Sequence, residues 1–252
     1  MTTKHQPEKK CAPVALITGS ARRVGACIAT LFHEKGYRVI IHYRHSHEAA
    51  VALAATLNQR REQSAVCMYA DLDDFNAYEK LIHASYSAWH RLDVLINNAS
   101  TFTPTPVGKT TLANWDYLFN SNLKAPFYLS QAAAPFLRET EGNIINIVDI
   151  HAITPMKNYP IYSCAKAGLL MLTKSLAVEL APLIRVNAVA PGSVIWPENE
   201  NVYSDAKKEA ILSATLLKKQ VSPEDIAKTA LFLAGQTSMT GQMLNVDAGR
   251  LV

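Results

Sequence analysis

Short apolar runs alternate along this chain with longer stretches of helical spacing. That alternation restricts the fold more than any single motif does. The first run, residues 12–18, stops at Gly19, and residues 21–35 then carry apolar side chains at helical spacing (Val24, Ile28, Leu31, Phe32) up to a C-capping Gly36. Further strands are predicted over residues 38–43, 64–70, 94–96, 143–148, 184–189 and 243–246. Helices are predicted over residues 48–61, 76–89, 161–180, 206–217 and 223–234. A long helix over residues 112–137 should kink at Pro126, which has no N–H to donate. Strands that are apolar at nearly every position are buried on both faces. The expectation is therefore an α/β fold, a single doubly wound Rossmann-type domain with a mostly parallel sheet of seven strands flanked by helices. Ligands of such sheets bind beyond the carboxyl ends of the strands, and the motifs below fall at those ends.

The bulk composition narrows the class further. The chain has 252 residues, 49% hydrophobic and 18% charged, enough for one large domain spanning residues 12–252. No uninterrupted run of about 18 apolar residues occurs, so no membrane partner is expected. Residues 1–11 are polar and read as a disordered tail without the apolar core of a signal peptide. Cys11, Cys27, Cys67 and Cys164 form no close pair, so neither a metal site nor a disulfide framework is indicated, and a cytoplasmic setting fits. The formal net charge is +4, of which Lys4, Glu8, Lys9 and Lys10 place +2 in the tail. The remainder is too small to argue for a nucleic-acid partner.

The segment Thr18-Gly19-Ser20-Ala21-Arg22-Arg23-Val24-Gly25 joins a strand to a helix, as a phosphate-binding turn does. Glycine lets the backbone approach, and the helix N-terminus attracts the anion. A three-glycine dinucleotide pattern would put glycine at Arg23. Two arginines beside such a turn suit an anion, although a plain surface arginine has the same appearance in sequence. The second strand ends in Tyr43-Arg44-His45-Ser46, where an NAD site places a carboxylate for the ribose hydroxyls. Here cationic and hydroxyl donors stand instead, so the cofactor read from this segment is NADPH/NADP+. Asp71, at the end of the third strand, is either an acceptor for the adenine amino group or a turn residue.

Tyr162 and Lys166 are one helical turn apart, and Asp149 lies thirteen residues before the tyrosine. Residues four apart share a helix face. A cation near a phenol favours phenolate, lowering a reference pKa of about 10 toward working pH, and such a tyrosine can pass a proton in a reduction. Alone, the Tyr-x-x-x-Lys spacing also describes an ordinary solvated helix face.

Taken together, these residues resemble the short-chain dehydrogenase/reductase family over essentially the whole of residues 12–252. The motifs that carry the resemblance are Thr18-Gly19 with Gly25, Asn97-Asn98-Ala99, Asn122, Tyr162 with Lys166, and Pro191-Gly192. Asn122 shares a helical stripe with Trp115, Leu118 and Phe119 and should face inward. The family uses such an amide to hold a water in a proton relay.

Three departures narrow the resemblance to pteridine reductases: Arg23 in place of glycine, Ser100-Thr101-Phe102 after Asn-Asn-Ala, and Asp149 where the family carries serine. The resemblance implies catalytic roles for Asp149, Tyr162, Lys166 and Asn122. It implies cofactor contacts at Gly19, Arg22, Arg23, Val24, Tyr43, Arg44, His45, Ser46, Asp71, Leu72, Asn98, Ala99, Ser100, Tyr162, Lys166, Pro191, Gly192 and Ser193. It implies substrate contacts at Arg23, Ser100, Phe102, Asp149 and Tyr162, with a pterin or folate substrate stacked against Phe102, and a homotetramer. Against it, the chain has Asp247-Ala248-Gly249-Arg250 where relatives often have Asp-Gly-Gly. A dihydromonapterin or dihydrofolate reductase fits the same residues. A ketone reductase fits less well because of Asp149, and a non-catalytic NADP-sensing protein need not keep the tyrosine and lysine.

Overall fold

The computed structural model describes residues 12–196 and 203–252. Seven strands form one sheet in the order β3-β2-β1-β4-β5-β6-β7, all parallel. They are β1 (Val14–Ile17), β2 (Arg38–Tyr43), β3 (Ala65–Tyr69), β4 (Val94–Asn97), β5 (Asn143–Ile147), β6 (Arg185–Pro191) and β7 (Met243–Val246). The chain builds outward from β1 to β3, then returns to pair β4 with β1. Strand order therefore reverses between β1 and β4, which opens a crevice at their carboxyl ends.

Alternation along β1 shows how both faces are covered. Ala15 and Ile17 pack with Ile28 and Phe32 of α1 (Arg23–Glu34), with Ala54 and Leu57 of α2 (His47–Arg60), and with Ile226 of α8 (Pro223–Gly235). Val14 and Leu16 pack on the opposite face with Leu81 of α3 (Ala77–Ser87), Leu129 of α5 (Ala125–Arg138) and Leu176 of α6 (Pro160–Leu180). All four residues of β1 are fully buried. This explains why its sequence shows no polar face, and each such large side chain contributes about 1.5–3 kcal/mol of burial.

The long helix expected over residues 112–137 is divided. α4 (Leu112–Phe119) ends in a wider π turn, Asn120–Lys124, before α5 begins. The Ala125 N–H reaches back five residues to the Asn120 carbonyl. The irregularity therefore precedes Pro126, which sits in the first turn of α5, where a missing N–H matters little. The helix expected over residues 206–217 is α7 (Asp205–Ser213) and stops early. Beyond it Lys218 adopts a φ of 51°, and the Leu217 N–H donates to the Ala248 carbonyl. A tertiary bond to the C-terminal segment replaces the last helical turn there. α6 is long and apolar enough to cross a membrane by length and composition, but half of that stretch is buried within the protein.

Candidate active site

The turn after β1 is held in place from three directions. Gly19 has φ +61°, a conformation open to glycine, and a Cβ there would lie 3.0 Å from the Ala99 Cα. The Asn98 side-chain amide donates to the carbonyls of Thr18 (2.8 Å) and Gly19 (3.1 Å), while the Thr18 hydroxyl accepts the N–H groups of Asn98 and Ala99. Gly25 closes the arrangement. A Cβ on it would sit 2.4 Å from the Gly19 carbonyl oxygen and 2.6 Å from the Asn98 amide nitrogen. Arg23 takes a φ of 55° where the dinucleotide pattern has glycine, so the backbone shape is kept with a side chain added. Arg22 and Val24 flank it, Arg22 exposed and Val24 packed against the core. No side chain caps the first turn of α1, and no acidic residue stands in it. Its N–H groups suit an anion.

His42 is a residue that sequence reasoning missed. Its Nδ1 accepts the Gly19 N–H at 2.9 Å and its Nε2 lies 3.1 Å from the Ala70 carbonyl, which assigns the proton to Nε2. The ring is 2% exposed, and burial pulls its pKa down to about 4, so it is neutral at pH 7. It joins the turn after β1 to the end of β3 through β2. A polar residue directly after the apolar run Val39-Ile40-Ile41, still inside the strand, was the available signal.

At the end of β2, Tyr43 packs near His47 and Tyr69, His45 is exposed, and Ser46 precedes α2 without a capping bond from its side chain. Arg44 is not a free cation. Its Nε lies 3.0 Å from Asp71 Oδ1 and its Nη1 lies 2.8 Å from Asp73 Oδ2. Asp71 also accepts the Asp73 N–H, so it serves as a turn residue here. The Leu72 side chain is in the core and its carbonyl accepts the Tyr78 hydroxyl, so that side chain lines no crevice.

Beyond β5, the Tyr162 hydroxyl donates to Asp149 Oδ2 at 2.8 Å. The other carboxylate oxygen, Oδ1, accepts the His151 N–H at 2.8 Å, so Asp149 both caps its turn and holds the phenol. Lys166 is 2% exposed, donates to the Ile147 carbonyl at 3.0 Å, and lies 5.7 Å from the Tyr162 ring centre. The pKa order differs from the sequence expectation. Burial first, and then the Asp149 carboxylate, hold the Tyr162 phenol well above its ordinary value rather than below it. Burial pulls Lys166 down to about 8, with Asp149 opposing. The carboxylate, not the ammonium, is the nearer partner of the phenol oxygen. The phenol is therefore a proton holder.

Phe102 is 40% exposed and stacks on Tyr159 with ring centres 4.4 Å apart and planes 8° apart. It also meets the Tyr162 ring at 4.9 Å and 82°. The core packing that could have claimed Phe102 is thus replaced by contact with the catalytic candidates, and Tyr159 joins the aromatic group without having been read from sequence. Ser100 is exposed beside them. Asn122 is fully buried and its amide nitrogen donates to the carbonyls of Thr101 and Leu118, both at 2.9 Å. Its Oδ1 has no protein partner among the described residues, an open acceptor that fits the relay the resemblance implies. Trp115, expected on the same inward stripe, is 45% exposed and stacks on Phe119 instead.

Pro191 ends β6, and Gly192 is pressed so close to Asp247 that a Cβ would lie 2.8 Å from its Cα. The Ser193 carbonyl accepts the Val221 N–H. From the other side, Arg23 Nη2 approaches the Ile195 and Trp196 carbonyls at 3.5 and 3.4 Å, spanning the crevice. Asp247 accepts the N–H groups of Gly249 and Leu251, and Ala248 takes a φ of 55°. The C-terminal turn keeps a glycine-like shape despite the alanine.

The glycine turn at the strand-order reversal and the tyrosine–lysine pair of α6 thus face one crevice, the arrangement of an oxidoreductase site on a doubly wound sheet. A family model described as enoyl-(acyl carrier protein) reductase matches residues 19–250. Pteridine reductase 1 of Leishmania tarentolae is 35% identical over 94% of this chain and 96% of its own length. The 3-oxoacyl-[acyl-carrier-protein] reductase of a Synechocystis species is 32% identical over 96% of this chain and 98% of its own. The 3beta-hydroxysteroid dehydrogenase 1 of Eggerthella lenta is 32% identical over 93% and 92%. The chain belongs to the short-chain dehydrogenase/reductase family and is an oxidoreductase.

Two expectations follow from the turn. Gly25→Ala forces a Cβ into backbone that cannot move independently, and overpacking of this kind costs roughly 1–3 kcal/mol. A urea titration with an unshifted midpoint would show that the turn has room. His42 binds a proton near pH 6.5 when unfolded but only near 4 when folded. The unfolded state therefore holds more protons in this window, and stability falls as pH drops from 6.5 to 4, by roughly 3 kcal/mol in full. His33, also lowered by burial, adds a slope of the same sign. His42→Gln should be less stable at pH 7 but show a flatter stability profile between pH 6.5 and 4. An unchanged slope would assign the titration elsewhere.

Proposed function

We propose that this protein is an NADPH-dependent pteridine reductase, reducing a C=N bond of a biopterin-type or dihydro pterin. The observation that carries the reading is the 2.8 Å hydrogen bond from Tyr162 to Asp149, beside the exposed ring of Phe102. A carbonyl reductase develops an alkoxide and needs a neutral donor near it. A carboxylate in that position opposes the alkoxide but suits the amide-like N–H groups of a pterin and a ring nitrogen once it carries a proton. The identity with the Leishmania pteridine reductase supports the same choice.

When bound, reduced nicotinamide supplies the hydride. The site fits such a cofactor: a glycine cradle that admits no Cβ, an uncapped helix N-terminus and the open acceptor of Asn122. In this reading Gly19, Arg22, Arg23 and Val24 receive the pyrophosphate. Tyr43, Arg44, His45, Ser46, Asp71 and the Leu72 backbone surround the adenosine. Asn98, Ala99, Ser100, Pro191, Gly192 and Ser193 line the nicotinamide end. Phe102 offers one face to the pterin, and Arg23 and Ser100 border it.

Tyr162 donates the proton. A phenol kept protonated by burial and by Asp149 carries the proton at neutral pH, and the Asp149 carboxylate accepts a pterin N–H beside the ring nitrogen that receives it. Lys166 positions the cofactor ribose and restores a positive field beneath the phenol as it loses its proton. Asn122 connects this proton path to water. Trp115, Phe127, Met171 and Val178 are exposed apolar residues on α4, α5 and α6, and they support a homotetramer assembled through those helices.

Two substitutions test the reading. Tyr162→Phe keeps the ring and removes the acid, so pterin turnover should fall about 10²–10⁴-fold. Near-full turnover would remove the proposed mechanism. Asp149→Ser should lower kcat/KM for dihydrobiopterin at least about tenfold, the range of a lost charge-assisted hydrogen bond, while slow activity on a small ketone holds or rises. Were Asp149→Ser to reduce dihydrobiopterin as fast as the wild type, the 3-oxoacyl reductase relatives would become the better guide to substrate.

A further inference from the structure

The end of β2 carries an electrostatic arrangement that the sequence does not suggest. Arg44 stands where a cation would favour the 2′-phosphate of NADPH over the bare ribose of NADH. Yet the guanidinium already lies against two carboxylates, Asp71 Oδ1 at 3.0 Å and Asp73 Oδ2 at 2.8 Å. One positive and two negative formal charges make this corner net negative. The two carboxylates are not equivalent. Asp71 belongs to a built turn: its side chain accepts the Asp73 N–H at 3.0 Å and its carbonyl accepts the Asp74 N–H at 3.1 Å. Asp73 contributes its backbone to that turn and spends its carboxylate on Arg44. The side chains of Arg44 and Asp73 are 35% and 27% exposed, so the pair is reachable from solution and weak enough to exchange.

We propose that Asp73 is a specificity-determining residue, which competes with the 2′-phosphate for Arg44 and so narrows the preference for NADPH over NADH. A phosphate entering this corner must take donors from a guanidinium engaged by Asp73, or share it with a carboxylate about one hydrogen bond away. A bare ribose carries no charge and meets no such competition. Arg44 has five N–H donors in a fixed planar fork, with Asp71 lying against Nε and Asp73 against Nη1, the terminal edge that a phosphate would take. The competition therefore falls on Asp73 alone. The inference rests on the reading above that this corner receives the adenosine end of a nicotinamide dinucleotide.

Asp73→Asn removes the charge, keeps the side-chain volume and leaves the backbone of the turn intact. Direct binding, followed by the fluorescence of reduced nicotinamide, reports it without any substrate. The Kd for NADPH should fall about fivefold, the scale of one partly exposed ion pair released for a phosphate, while the Kd for NADH moves less than about twofold. In an Arg44→Ala background the same substitution should change the NADPH Kd by less than about twofold, because the competition has lost its object. A Kd for NADPH that stays level or rises in Asp73→Asn overturns the proposal, since Asp73 would then be inert or orienting Arg44 for the phosphate. An equal gain in both backgrounds overturns it too, assigning the effect to repulsion alone. If the wild-type protein binds neither NADPH nor NADH, the functional reading fails. If it binds NADPH and Asp73→Asn changes nothing, only this inference does.

Discussion

The close approach of the Gly19–Gly25 turn to the end of β4 is the contact on which the rest of the site depends. It requires a missing Cβ at Gly25, because the Gly19 carbonyl and the Asn98 amide occupy that volume. The same Asn98 amide bonds the Thr18 and Gly19 carbonyls and so locks the ends of β1 and β4 together. This is the point where strand order reverses, and a crevice stays open there because the connections leave it on opposite sides. His42 adds the third attachment, from β2 and β3. A neutral imidazole serves because it accepts on one nitrogen and donates on the other, so no charge is buried.

The candidate reactive centre distributes charge differently. Three ionisable side chains, Asp149, Tyr162 and Lys166, meet at the carboxyl end of β5, two of them deeply buried. Lys166 leans on the Ile147 carbonyl and the phenol leans on Asp149, so the ammonium acts on Tyr162 through space rather than through a bond. The order of effects decides the chemistry. Burial and the carboxylate both oppose phenolate, and the distant cation does not overcome them. A tyrosine in that state keeps its proton at neutral pH.

The π turn before α5 links these two regions. It places the Asn122 amide across the carbonyls of Thr101 and Leu118, fastening the loop that carries Phe102 to the helix. Phe102 then lies against Tyr159 and Tyr162 rather than in either core. Irregular helix geometry is costly in isolation, and here it puts a polar side chain at depth while leaving one of its acceptors uncommitted.

The order of strands and helices was legible in the chain because burial on both faces leaves a continuous apolar run, and covering helices leave a 3.6-residue period. The glycine turn, Asn98 and the Asp149, Tyr162 and Lys166 group were legible too, since a missing Cβ or a fixed helical spacing is a local property. The partners of each charged group were decided by tertiary structure alone. Arg44 read as a waiting cation, but its neighbours Asp71 and Asp73 come from the end of β3, which only the sheet brings beside β2. Tyr162 read as a lowered phenol because Lys166 is one turn away, yet the oxygen nearest its hydroxyl belongs to a residue thirteen positions earlier. The early end of α7 depended on a bond to Ala248, and His42 was hidden inside a strand. Local sequence specifies backbone shape and periodicity. Electrostatic interaction depends on distance in space, and that distance is set by the packing of segments far apart along the chain.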